Sequence, residues 1–143
     1  MAMHQHILDQ LSELKCKGLK EALILQSQSP DYLHMPFEER LAHLIDSEVV
    51  SRKNDRMKRY LRASKLKYKD AFLNDIEYTA SRNLQREVIA SLTTNQWIEQ
   101  VRNIIITGAT GTGKTYIACA LAHNAMAAGY NAYYARISKL LSE

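Results

Sequence analysis

The sequence predicts an α/β chain, helical through its amino-terminal part and changing in its last third to strand, loop, helix and strand. Three observations predict this. Apolar residues recur at the helical period over roughly residues 4–26 and again from residue 37. A β-branched run, Ile104-Ile105-Ile106, then breaks that period and is bounded by a glycine loop, which suits a buried strand. An alanine-rich stretch over residues 114–128 follows the loop directly and ends at Gly129, in the position of a helix cap.

In chain order, Ile7, Leu8, Leu11, Leu14, Leu19, Ala22, Leu23 and Leu25 mark the first helical segment, with Gly18 as a candidate kink. Residues 27–36, with two prolines, read as a connection, and Pro36 followed by Glu38 and Glu39 starts a second helix that runs to about Ala63. Residues 64–80 lose periodicity and read as an extended link. A helix over about 81–92, a short piece around Trp97 and Ile98, the strand, the loop and the alanine-rich helix come next. Residues 131–136 read as a second strand and 137–141 as the start of another helix. The expected division is a helical domain over 1–63, a connecting segment over 64–80, and a second domain over 81–143.

The 143 residues carry a formal charge of +4, unevenly spread. Between Ser51 and Lys69 there are nine cationic residues, Arg52, Lys53, Arg56, Lys58, Arg59, Arg62, Lys65, Lys67 and Lys69, against the single acid Asp55. Arg52, Arg56, Arg59 and Arg62 recur at four, three and three residues, so they fall on one side of a helix. Such a stripe suits contact with nucleic-acid phosphates, for which Arg52, Lys53, Arg56, Arg59, Arg62, Lys65 and Lys67 are the candidates; a solvated helix face is the plainer alternative. The start, MAMHQHILDQ, has no basic end followed by an apolar run, and no stretch approaches a membrane span, so the expected location is the cytoplasm. Cys16 and Cys119 are far apart and lack metal-ligand spacing, and the five histidines form no cluster.

Gly108-Ala109-Thr110-Gly111-Thr112-Gly113-Lys114-Thr115 fits G-x-x-x-x-G-K-[ST] throughout, directly after the apolar run and directly before the helix. Glycines let the backbone curl around a phosphate with its N–H groups inward, and the next helix offers its positive end. Lys114 would reach the β and γ phosphates and the Thr115 hydroxyl would hold magnesium, with Tyr116 next to them. The expected cofactors are ATP and Mg2+. Hydrolysis needs an acid at the end of another strand, and Glu143 is the sole acid after Thr115, so efficient turnover is not expected.

The chain resembles the IstB-like ATP-binding proteins, helpers of insertion-sequence transposases related to the DnaC helicase loaders within the AAA+ class. The resemblance lies in LKCKGLKEAL (Leu14 to Leu23), KLKYKDAFLNDIEY (Lys65 to Tyr78), Arg82-Asn83-Leu84, Trp97-Ile98, NIIITGATGTGKTYIACALA (Asn103 to Ala122) and Tyr133-Tyr134-Ala135-Arg136. It implies a helical amino-terminal domain, then the first part of a P-loop AAA+ core with an incomplete parallel sheet. It also implies ATP-dependent self-association on DNA, with delivery or stimulation of a transposase, and no membrane. A helicase-loader-like adaptor that uses ATP as a switch is the alternative, and an inactive remnant a third. Members of that family continue past this point with an acidic magnesium motif, a polar sensor and an arginine for a neighbour's site, so the chain reads as truncated. In AAA+ sheets the first two strands in sequence are separated by later ones, so the strand at Ile104–Ile106 would lack its usual partners.

Overall fold

The computed structural model describes residues 2–142; Met1 and Glu143, the acid singled out above, lie outside the described residues. The chain forms two compact units, Met1–Arg56 and Met57–Glu143.

The first unit contains α1 (Ala2–Glu13), α2 (Lys17–Gln28), a 3-10 turn at Pro30–Tyr32 and the larger part of α3 (Phe37–Ser64). The helical segment expected over residues 4–26, with its kink or split at Gly18, is two helices. The break falls at Lys15, which takes a left-handed φ of 59°, and not at Gly18. Gly18 serves a different purpose: a Cβ there would stand 2.5 Å from the Ser47 carbonyl oxygen and 2.7 Å from Ser51 Cβ, so only glycine permits α2 and α3 to approach this closely. At the same crossing the buried Glu48 carboxylate accepts the Leu19 N–H at 3.1 Å and the Arg52 Nε–H at 3.0 Å. These donors, the Leu19 amide foremost, hold the Glu48 carboxyl below its ordinary value. Arg52 also reaches the half-buried Cys16 sulfur at 3.6 Å.

The second unit is built around α6 (Lys114–Ala127), preceded by α4 (Arg86–Leu92) and α5 (Gln96–Glu99) and followed by α7 (Ile137–Leu140). Short 3-10 turns lie at Leu73–Asp75 and Ala80–Arg82. α6 is apolar on most of its circumference, as a central helix must be. Cys119, Ala120 and Met126 pack with Leu66 and Ala71, while Ile117 and Leu121 pack with Ile76 and Ile89. Each large aliphatic chain so buried contributes about 1.5–3 kcal/mol. The link at residues 64–80 is therefore no loose tether, since Leu66, Ala71 and Ile76 are all core residues. Buried Ser64 ends α3: its hydroxyl donates to the Leu61 carbonyl at 2.7 Å and accepts the Leu66 N–H at 3.3 Å, and Lys65 turns the chain with φ 55°. Asn124 on α6 donates to the Thr93 carbonyl at 3.0 Å and to Asn95 Oδ1 at 3.2 Å, fastening the α4–α5 turn. The helix expected over 81–92 begins only at Arg86, because Asn83 takes a left-handed φ of 49°.

The expected α/β class, with an incomplete parallel sheet, is overturned: among the described residues the structure is helical and contains no strand. The reason lies in partners and not in local geometry. Ile104 and Ile106 face the α6 core while Ile105 is 86% exposed, the alternation of an extended chain. Yet no backbone–backbone hydrogen bond engages residues 103–107 among the described residues, and that of the Tyr134 amide in residues 131–136 goes to the Ser64 carbonyl, at 2.7 Å. Both segments line a groove of about 610 Å³ floored by Ala118, Leu121, Ala122 and Ala125 of α6, instead of pairing with each other. Without a ladder an extended segment is not a strand.

Candidate functional site

The loop at residues 108–113 runs from Ile106 and Thr107 into the first turn of α6. Two of its glycines take conformations that other residues rarely adopt, Gly111 at φ 79° and Gly113 at φ 92°. Gly113 is the residue before the helix, so the free N–H groups and positive end of the 14-residue α6 open at the loop. Inside the loop Thr112 Oγ1 donates to the Ala109 carbonyl at 2.7 Å. The Lys114 ammonium folds back onto the loop, donating to the Gly108 carbonyl and, at 2.9 Å, to the Ala109 carbonyl. The cation thus sits beside the curl of the backbone, where an incoming anion would meet both it and the amide groups.

A pocket of about 710 Å³ adjoins the loop. Gly108, Ala109, Gly111, Thr112 and Lys114 form one wall and residues 81–84, with Glu77, another. Thr110, Gly113, Thr115 and Tyr116 are not among the lining residues; Thr115 stands in the first turn of α6. Tyr116 is drawn into packing: its ring lies 6.1 Å from that of Tyr68, and its hydroxyl accepts the Phe72 N–H at 3.4 Å. The wall contributed by residues 77–84 is what sequence reading missed, having assigned this stretch to a link and a helix. No local pattern signalled it, although Arg82-Asn83-Leu84 is one of the segments that carry the family resemblance. The Arg82 guanidinium donates to the Glu77 carbonyl at 3.0 Å and across the pocket to the Thr112 carbonyl at 2.9 Å.

Among the described residues no group of three His, Cys, Asp or Glu side chains could hold an ion. Magnesium wants six oxygens, of which Thr115 would supply one hydroxyl, the remainder falling to phosphate oxygens and water.

The cationic candidates divide between the two units. In the first, Arg52 is committed to Glu48, Lys53 is exposed, and Arg56 is half-buried, with its Nε buried and without a hydrogen-bond partner among the described residues. In the second, Arg59, Arg62, Lys65 and Lys67 are exposed, with Lys65 Nζ 5.6 Å above the Tyr133 ring and Lys67 Nζ 5.3 Å above the Tyr68 ring. Among the described residues no helix is long and apolar enough to cross a membrane.

The family model for IstB-like ATP binding proteins matches residues 9–143. Among curated proteins the chain is 41% identical over 141 residues to a Pseudomonas fluorescens protein named as the ATP-binding protein of insertion sequence IS1162, covering 99% of this chain and 61% of that protein. A Sinorhizobium fredii protein, also named as an insertion-sequence ATP-binding protein, is 33% identical over 134 residues, covering 94% and 54%. One from Mycobacterium tuberculosis, similarly named, is 29% identical over 136 residues, covering 93% and 53%. The chain therefore spans a little over half the length of these relatives.

Proposed function

The chain belongs to the family of IstB-like ATP-binding proteins, and from that premise we propose that its loop binds the triphosphate of ATP in the service of an insertion sequence. The observation that carries this reading is the conjunction of left-handed Gly111 and Gly113 with Lys114 at the amino end of α6, Gly111 and Lys114 lining an open pocket. Backbone amides and the helix end receive the phosphates, Lys114 exchanges its loop carbonyls for phosphate oxygens, and the Thr115 hydroxyl takes one position on magnesium. Bound magnesium would offset phosphate charge. ATP is favoured over other nucleotides by the names of the relatives and not by a base contact.

The partners follow from the same membership. DNA is the proposed anionic partner of the exposed cations Lys53, Arg59, Arg62, Lys65 and Lys67, held without regard to sequence. A transposase is the proposed recipient of the complex, and ATP-dependent self-association on DNA its proposed form.

Titration of the chain with fluorescently labelled ATP and magnesium tests the central claim. Lys114→Ala removes the phosphate-pairing cation and is expected to weaken binding at least tenfold, since a charge-assisted contact contributes about 1.5–3 kcal/mol. Equal affinity in parent and variant would remove the loop from the account.

A further inference from the structure

Arg82 lies outside the phosphate-loop motif, yet it is the side chain that reaches across the pocket to the loop backbone. One end of its guanidinium is anchored on the Glu77 carbonyl at 3.0 Å, five residues back, and the other grips the Thr112 carbonyl at 2.9 Å, thirty residues on. The donors of a guanidinium are fixed in a plane, so it sets direction as well as charge.

The Thr112–Gly113 peptide is trans and planar, so its carbonyl and its N–H project to opposite sides. A donor that holds the Thr112 carbonyl therefore also sets the direction of the Gly113 N–H. Gly113 itself is at φ 92°, and a Cβ on it would stand 2.7 Å from Arg82 Nη2. Glycine is thus favoured at this position by the backbone, and a side chain there would push the Arg82 guanidinium off its seat.

We propose that Arg82 is a positioning residue for phosphate binding: by clamping the Thr112 carbonyl it fixes the direction of the Gly113 N–H, on the far side of that peptide, for an anion held in the loop. This rests on the reading of the loop as an ATP site. Arg82 acts through the backbone and touches no reacting atom in this arrangement. It also makes the segment from Glu77 to Arg82 a strut, so the wall facing the loop is held at a fixed distance from it.

The test uses the whole 143-residue chain, with Arg82→Gln and Arg82→Lys beside the parent. Labelled ATP and inorganic tripolyphosphate are titrated, and the Gly113 amide is followed by NMR during the tripolyphosphate titration. Arg82→Gln is expected to weaken both ligands about tenfold, the consequence of one charge-assisted contact, and to diminish the Gly113 shift. Arg82→Lys keeps the charge without the planar fork and is expected to recover only part of the affinity. Thermal midpoints measured without ligand identify a variant that has lost its fold; if Arg82→Gln has, Arg82→Lys alone decides, and its binding both ligands as the parent does overturns the proposal. A parent chain that binds ATP while folded Arg82→Gln binds it equally well, with the Gly113 shift intact, overturns this inference and leaves the loop reading standing. Full recovery in Arg82→Lys reduces Arg82 to a bare charge and overturns the positioning role. A parent that binds no ATP overturns both.

Discussion

Replacing Gly18 by alanine adds one methyl group where α2 passes closest to α3. In an unconstrained helix the change would stabilise by up to about 1 kcal/mol, because alanine restricts the unfolded chain more. Here the new carbon would meet the Ser47 carbonyl oxygen at 2.5 Å, Ser51 Cβ at 2.7 Å and the Ser47 carbonyl carbon at 3.0 Å. Two of these three are backbone atoms that no rotamer change can move. Restoring ordinary contact near 3.5 Å requires the helices to part by roughly 1 Å. That movement would stretch the Leu19 N–H contact to the Glu48 carboxylate, now 3.1 Å, beyond hydrogen-bonding range. Overpacking costs about 1–3 kcal/mol and a hydrogen bond to a charged group is worth about 1.5–3 kcal/mol, so even after the alanine gain the loss is at least about 1.5–2 kcal/mol. Native-state hydrogen exchange reads this directly. Amides of α2 are expected to exchange about 30-fold faster in Gly18→Ala. Slower exchange in α2, or a raised urea midpoint, would mean that the helices separate without cost and would refute the reasoning.

Two other expectations follow from the geometry. Arg59→Ala with Arg62→Ala removes two exposed cations and is expected to reduce the slope of log DNA affinity against log salt by about two, for any duplex; fluorescence anisotropy at several salt concentrations measures it, and an unchanged slope would mark these arginines as a solvated face. The Glu48 carboxyl is lowered from 4.5 by the Leu19 amide and then by Arg52, so its contribution to the first unit is complete above that pH and is lost as pH falls through the lowered folded value. Exchange of α2 amides between pH 3 and 6 is expected to show this dependence in the parent and lose it in Glu48→Gln, with base-catalysed intrinsic rates divided out.

How far the sequence could be read depended on whether the deciding contact was local. The helices of the first unit are written in the spacing of Leu8, Leu11, Leu19 and Leu44, and the end of α6 in Gly129, found at φ 101°. The left-handed turn at Lys15 is not, because apolar spacing continues across it and lysine is no sign of positive φ. Burial of Leu66, Ala71 and Ile76 escapes a periodicity argument, since these residues pack from an irregular segment against a helix about fifty residues on. The β-branched run was legible as an alternating segment, but a ladder needs a neighbour, and neither residues 103–107 nor 131–136 supplies one to the other. The loop motif named its own glycines and lysine. Arg82 carried no pattern that pointed to Thr112, because that contact exists only once the chain has turned back at Asn83.

The distribution of sulfur in the molecule offers a pair of internal clocks. Cys16 lies half-buried in the first unit and Cys119 fully buried at the centre of α6 in the second. An alkylating reagent therefore reaches the first thiol from solution but the second only when the core around α6 opens. With one cysteine in each unit, peptide mass spectrometry of a single timed reaction follows both thiols without any engineered label, Cys16 reacting from solution and Cys119 reporting the opening of its core. The rate at Cys119, set against that of an unprotected thiol, becomes the free energy of opening the unit that carries the loop. Any ligand seated on that loop should slow this clock in proportion to its concentration over its dissociation constant.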